Sequence, residues 1–165
     1  MTSRRWAIGA ATSIFVFDQL TKWLVIGPLQ LQSVRQIHLL PIFNLTWTEN
    51  RGISLGLLSA DGELGRWLLV AMTAIIAGGI AWWITREHNR WDQLALGMVL
   101  GGALGNILDR VRFGYVVDFA DLHFGEFRPF FIFNVADAAI SIGVAILLLR
   151  SFLVKEAPKE NAEHA

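Results

Sequence analysis

The chain contains no cysteine. That absence excludes disulfides, thiolate nucleophiles and thiolate-ligated zinc together. Charge is also scarce: 17% of residues are Asp, Glu, Lys or Arg, and the formal net charge is zero. Nothing in that balance attracts nucleic acid, so no nucleic-acid partner is expected. Histidine occurs only at His38, His88, His123 and His164, with no H-E-x-x-H and no pair at i,i+4. A catalytic zinc needs three protein ligands. No such set is visible, and no metal or other cofactor is expected. There is no internal repeat and no low-complexity segment, and 165 residues suffice for one domain rather than two.

What the chain has in abundance is apolar sequence. Hydrophobic residues make up 54%, the mean hydropathy is +0.47, and the apolar residues come in blocks rather than in an amphipathic rhythm. Four blocks, about 6–26, 67–85, 91–108 and 130–150, each approach the ~20 residues that carry a helix across hydrocarbon. Trp6, Trp23, Trp67, Trp82, Trp83 and Trp91 stand at their margins, as in an interfacial aromatic belt. The expected fold is an all-α membrane bundle of four transmembrane helices, a single domain over 1–154, followed by a disordered polar tail at 155–165. The first block is expected to be an anchor rather than a cleavable leader, since no A-x-A-like site follows it. Counting Lys and Arg gives seven on the expected inner side against six on the outer. Arg4 and Arg5, ahead of the first block with no acid beside them, favour both termini inside. In the long first connection, "IFNLTWTEN" alternates with period two and predicts a strand, hence a small β-rich segment outside the membrane.

Ionisable groups inside apolar blocks are costly, roughly 2.5 kcal/mol and upward each, and signal function or pairing. In the predicted topology they gather near one interface. Asp18 and Lys22 lie late in the first span. Asn106, Asp109 and Arg110 end the third, and Asn134 and Asp137 occupy the first two turns of the fourth. Within each helix these spacings share a face, so three polar faces are expected to meet. Asp18 and Lys22 are expected to brace the first span. Asp109 and Arg110 are expected to pair and anchor a loop bearing Asp118. Gly97, Gly101 and Gly105, with Gly102 beside them, form a small-residue stripe that permits close helix packing.

Three readings compete for these groups. "GISLG" (Gly52 to Gly56) fits a serine-nucleophile pattern at Ser54, but lacks a placed histidine and the strand–turn–helix context that the motif needs. A proton- or ion-coupled transporter would also use intramembrane acids, but usually near the midplane and with repeated halves. Two carboxylates sharing a site remain. One keeps a proton while the other stays charged, which suits peptide hydrolysis. Asp118 and Asp137 form such a pair, and spacing alone leaves Asp121 open as an alternative.

Four segments in order carry a resemblance: "DQLTK" (Asp18 to Lys22), "NLTWTENRG" (with Asn50 and Gly52), "GGALGNILDRVRFGYVVDF" (Gly101 to Phe119) and "FNVADAAI" (Phe133 to Ile140). Through them the sequence resembles the signal peptidase II family of bacterial intramembrane aspartic peptidases. The resemblance implies Asp118 and Asp137 as the catalytic aspartates, and so disfavours Asp121. It implies supporting or substrate-binding roles for Asp18, Lys22, Asn50, Gly52, Gly102, Asn106, Asp109, Arg110 and Asn134. It further implies a diacylglyceryl-modified prolipoprotein as substrate, cleaved just before the lipidated cysteine. The inner membrane is the implied location, with the site near the outer face and a monomer working among membrane lipid. On that reading the glycine stripe and the strand could wall a path for the acyl chains. Two departures stand out. Ser54-Leu55 replaces a usual Ala-Phe, and Arg128 stands where an aromatic residue often precedes the proline.

Overall fold

The computed structural model describes residues 4–52 and 62–153. Ser54, Leu55 and the expected tail lie outside them. Among these residues, five helices and three strands follow in the order α1 (Arg5–Ile26), α2 (Leu31–Val34), β1 (Gln36–Leu40), β2 (Phe43–Asn50), α3 (Glu63–Arg86), α4 (Arg90–Phe113), β3 (Val116–Leu122) and α5 (Val135–Leu153). Among the described residues, α3, α4 and α5 are long and apolar enough to cross a membrane. The fourth expected span, α1, has 22 residues but is not among them. Its Asp18, Gln19, Thr21 and Lys22 dilute an otherwise apolar helix.

Helix α4 is the hub, with α1, α3 and α5 packed around it. Glycine makes this possible. A Cβ at Gly97 would stand 2.4 Å from Ala7 O, and one at Gly101 2.4 Å from Ala11 O. The i,i+4 glycines of α4 therefore seat the i,i+4 alanines of α1, backbone against backbone. Gly102 faces the other way, where a Cβ would meet Ala136 O of α5 at 2.6 Å. The stripe is filled by helices and walls no acyl path, because α1 occupies the space that the missing side chains leave. Gly101→Val is expected to cost about 1–3 kcal/mol by overpacking. Gly78→Val, where no other described part of the protein lies within 4 Å of an added Cβ, should leave the melting temperature in detergent unchanged. Equal melting of the two variants would count against the α1–α4 contact.

Helix ends differ from the apolar blocks for identifiable reasons. α4 runs five residues past Leu108, to Phe113, because Asp109 turns inward and is fully buried rather than ending the span in water. It stops at Gly114, whose φ of 84° supplies the left-handed cap that frees the chain to turn. α5 begins at Val135, not near 130. The apolar "FFIF" before it belongs to a connection in which Phe133 bridges Ala120. Asn134 therefore precedes the helix instead of lying in its first turn.

The predicted strand is β2, but the sheet is larger than the first connection. Its order is β1-β2-β3, all antiparallel, and β3 comes from the connection between α4 and α5. Asp118 thus stands on a strand rather than on a loop. One sheet face packs on Val25 of α1 and Leu31 of α2 through Leu45, Trp47, Val117 and Phe119. Trp47 is buried and meets the Tyr115 ring edge-on, so it belongs to this core and not to an open path.

Candidate active site

The end of α4, the start of α5, the last turns of α1 and the strand β3 converge at one place. Lys22 Nζ lies 2.8 Å from Asp18 Oδ2 and 2.8 Å from Asp109 Oδ2, all three side chains at most 2% exposed. It also donates to Asn106 Oδ1 at 3.4 Å. An ammonium has three hydrogens, and all three find acceptors. Asp109 accepts further bonds from Gln19 Nε2 at 3.2 Å and from the Val117 backbone N–H at 3.1 Å. Asp109 therefore pairs with Lys22 and not with Arg110. Adjacent residues on a helix point about 100° apart, so neighbours in sequence are poor partners. The expected consequence survives through a different bond, since the Val117 contact fixes the strand one residue before Asp118. Gln19 was not a candidate from sequence. Its only signal there was one more polar group beside Asp18.

Asp18 has a second task. Its Oδ1 accepts the Ala136 backbone N–H at 3.0 Å, one of the unpaired donors at the start of α5. The same helix end is closed by a reciprocal cap. Asn134 Oδ1 accepts from Asp137 N at 2.9 Å, and Asp137 Oδ2 accepts from Asn134 N at 3.3 Å. This is a capping box built from Asn and Asp. It positions the Asp137 carboxylate at a helix N-terminus, where negative charge is favoured.

The two aspartates are held by asparagine amides. Asn134 Nδ2 donates to Asp118 Oδ1 at 2.6 Å, Asn50 Nδ2 to Asp118 Oδ2 at 3.0 Å, and Asn106 Nδ2 to Asp137 Oδ1 at 2.8 Å. Asn134 Nδ2 also approaches Asn106 Oδ1 at 3.3 Å, which joins the two halves. Asn50 Oδ1 in turn accepts the Gly52 N–H at 3.1 Å. At Gly52 φ is 134°, a backbone conformation that disfavours side chains. Asp118 is 2% exposed. Burial first, and the charge of Asp137 second, raise its pKa from 3.8 to about 7, against the lowering effect of Asn50, Asn134 and Lys22.

Asp121 is engaged elsewhere. It accepts from Thr46 Oγ1 at 3.0 Å and from Arg128 Nε at 3.1 Å. Arg128, the departure from the usual aromatic, neutralises this buried acid. Arg110 is less occupied. Its Nη1 makes one long contact of 3.5 Å to Asn106 O, and its buried Nε has no partner among the described residues.

A family model described as signal peptidase (SPase) II matches residues 10–153. The chain belongs to the signal peptidase II family. A lipoprotein signal peptidase of Sphingopyxis alaskensis is 56% identical over 152 residues, covering 92% of this chain and 88% of that protein. One from Rhizorhabdus wittichii is 52% identical over 161 residues, covering 98% and 93%. A solved bacterial membrane enzyme, determined by the in meso method at 1.9 Å resolution, superposes with a TM-score of 0.75 at 30% identity. It covers 92% of this chain and 94% of the other. Membership of the signal peptidase II family makes the chain a peptidase and a membrane protein.

Proposed function

We propose that this signal peptidase II family member is an aspartic endopeptidase that removes the signal peptide from diacylglyceryl-modified prolipoproteins. It cuts just before the lipidated cysteine, with water activated by Asp118 and Asp137. The observation that carries this reading is the pair itself: two carboxylates from separate elements, β3 and α5, held by the amides of Asn50, Asn106 and Asn134. Asp118 is buried and Asp137 half-buried, and two like charges in one such site disfavour double ionisation, so the pair keeps one proton.

In this mechanism the ionised carboxylate takes a proton from water as the oxygen attacks the scissile carbonyl carbon. The protonated one gives its proton to the carbonyl oxygen, forming a tetrahedral diol. Collapse breaks the C–N bond, and the leaving nitrogen takes a proton back from the pair. Arg110 Nε, a buried donor without a partner among the described residues, is assigned to a backbone carbonyl of the substrate. Asp18, Lys22 and Asp109 hold the frame, and Gly102 lets α5 approach. The chain works as a single-domain monomer in the inner membrane. α1 is the fourth span, both termini are cytoplasmic, and the site lies near the outer face.

The test is cleavage in detergent across a pH series. Purified protein should cut the diacylglyceryl-modified precursor and leave the unmodified one intact. Because the Asp118 pKa is raised to about 7, activity should fall above pH 7 by about tenfold per unit as the shared proton is lost. Stability follows the same sign. Asp118 favours the fold fully below its ordinary value near 4, and that contribution is gone once pH passes about 7. A flat profile from pH 6 to 9 would remove the shared-proton mechanism. Equal cleavage of both precursors would remove the lipid-selective substrate.

A further inference from the structure

The sheet ends in an apolar tip that the proposed chemistry does not use. Phe124, Phe127, Phe130 and Phe131 are all exposed, Phe131 at 95%, and Leu40 and Ile42 are exposed beside them. These come from two segments that the backbone stitches together. Phe43 pairs with Leu122, and His123 N donates to Ile42 O at 3.0 Å. The phenylalanines are not on a loose connection. Phe124 N donates to Phe127 O at 2.8 Å and Phe127 N to Phe124 O at 3.3 Å, around Gly125 with φ of 64°.

Side chains tie the same segment down. Asn44 Nδ2 lies 2.8 Å from His123 Nε2, and Asn44 Oδ1 lies 3.1 Å from His38 Nδ1. Arg128 Nε donates to the buried Asp121. Polar groups thus hold the segment to the sheet, while its phenylalanines are left unburied by the chain. Four exposed aromatics within eight residues call for an apolar partner.

We propose that this tip is seated in the bilayer, with its phenylalanines in the boundary between headgroups and acyl chains of the leaflet where α5 begins. Continuity with the membrane-spanning surface selects lipid as the occupant. Val135, the first residue of the apolar helix α5, follows Phe131 by four positions, so the tip adjoins hydrocarbon that the protein already contacts. Glu126 and Arg128 are the charges within the segment; Arg128 pairs with Asp121 while staying half exposed, and Glu126 is exposed, so the tip is placed at the headgroup boundary, within reach of water, and not deeper. Seating here would fix the height of β3, and of Asp118 on it, relative to the lipid surface. The inference rests on α5 spanning the membrane and is independent of the proposed peptidase mechanism.

The absence of cysteine makes a direct test available. Phe131→Cys, labelled with the fluorophore NBD, is placed in lipid nanodiscs with no substrate and no other protein. Lipids carrying a doxyl quencher high on the acyl chain should quench it strongly. Aqueous iodide should quench it at least threefold less than NBD-labelled glutathione in the same suspension. The same label on a Phe124→Ser/Phe127→Ser background should lose half or more of the doxyl quenching. Iodide quenching equal to that of the free label would overturn the proposal. So would doxyl quenching unchanged by the serine substitutions, since the label and not the loop would then be seeking lipid.

Discussion

Asp118→Asn and Asp137→Asn are each expected to lower kcat on a diacylglyceryl-modified precursor by at least about a thousandfold, with Asp121→Asn retaining most of the activity. The physical ground is that an amide can neither take a proton from water nor return one to the leaving nitrogen. Asparagine keeps the size of the side chain and one acceptor oxygen, so the Asn134 and Asn50 contacts to Asp118 survive in part. The capping role of Asp137 toward Asn134 N survives likewise. Loss of activity with an unchanged melting temperature therefore reports chemistry rather than fold. Asp121 differs because Thr46 and Arg128 already occupy its oxygens, and its neutralisation costs a surface-linked ion pair. If Asp118→Asn or Asp137→Asn still cleaves, the pair is structural, and an intramembrane proton relay becomes the better account of these acids.

Lys22→Met should be the most destabilising single substitution in the site. The change removes the one cation that lies 2.8 Å from both Asp18 and Asp109, whose side chains are fully buried. Breaking a buried ion pair from one side costs about 3–5 kcal/mol, because the charge left behind has neither a counter-ion nor water. Here two carboxylates would be left. The consequence extends to the site by two bonds. Asp109 holds Val117 N–H beside Asp118, and Asp18 holds Ala136 N–H beside Asp137. Thermal melting in detergent measures the effect. The double variant Lys22→Met/Asp109→Asn should recover part of the lost stability by removing one stranded charge. Melting of Lys22→Met within a degree of the unmodified chain would show that the buried network contributes nothing to the fold.

The sequence alone determined the class of this protein and named most of the polar residues that the structure brings together. Apolar blocks of membrane-spanning length, with polar groups at one depth, require a membrane bundle whose polar faces meet, because lipid offers those groups no partner. Spacing left Asp118, Asp121 and Asp137 open together, and only the family resemblance pointed to Asp118 and Asp137 as the pair. Partnership was less legible. Asp109 and Arg110 are adjacent in sequence, yet Asp109 turns to Lys22 of another helix, a contact of long sequence separation that no local spacing encodes. The "VVDFADL" run was equally silent, since a strand buried on both faces shows no alternation. Asn134 looked like part of an apolar helix because "FFIF" continues the run into it. Only the bridge of Phe133 to Ala120 places the helix start after Asn134 and makes that residue a cap. The tertiary structure decided what each polar group touches: which amide holds which aspartate, and which helix fills the glycine stripe. Those choices depend on how separate elements pack, and burial beside a second carboxylate then turns them into chemistry by raising the Asp118 pKa to about 7.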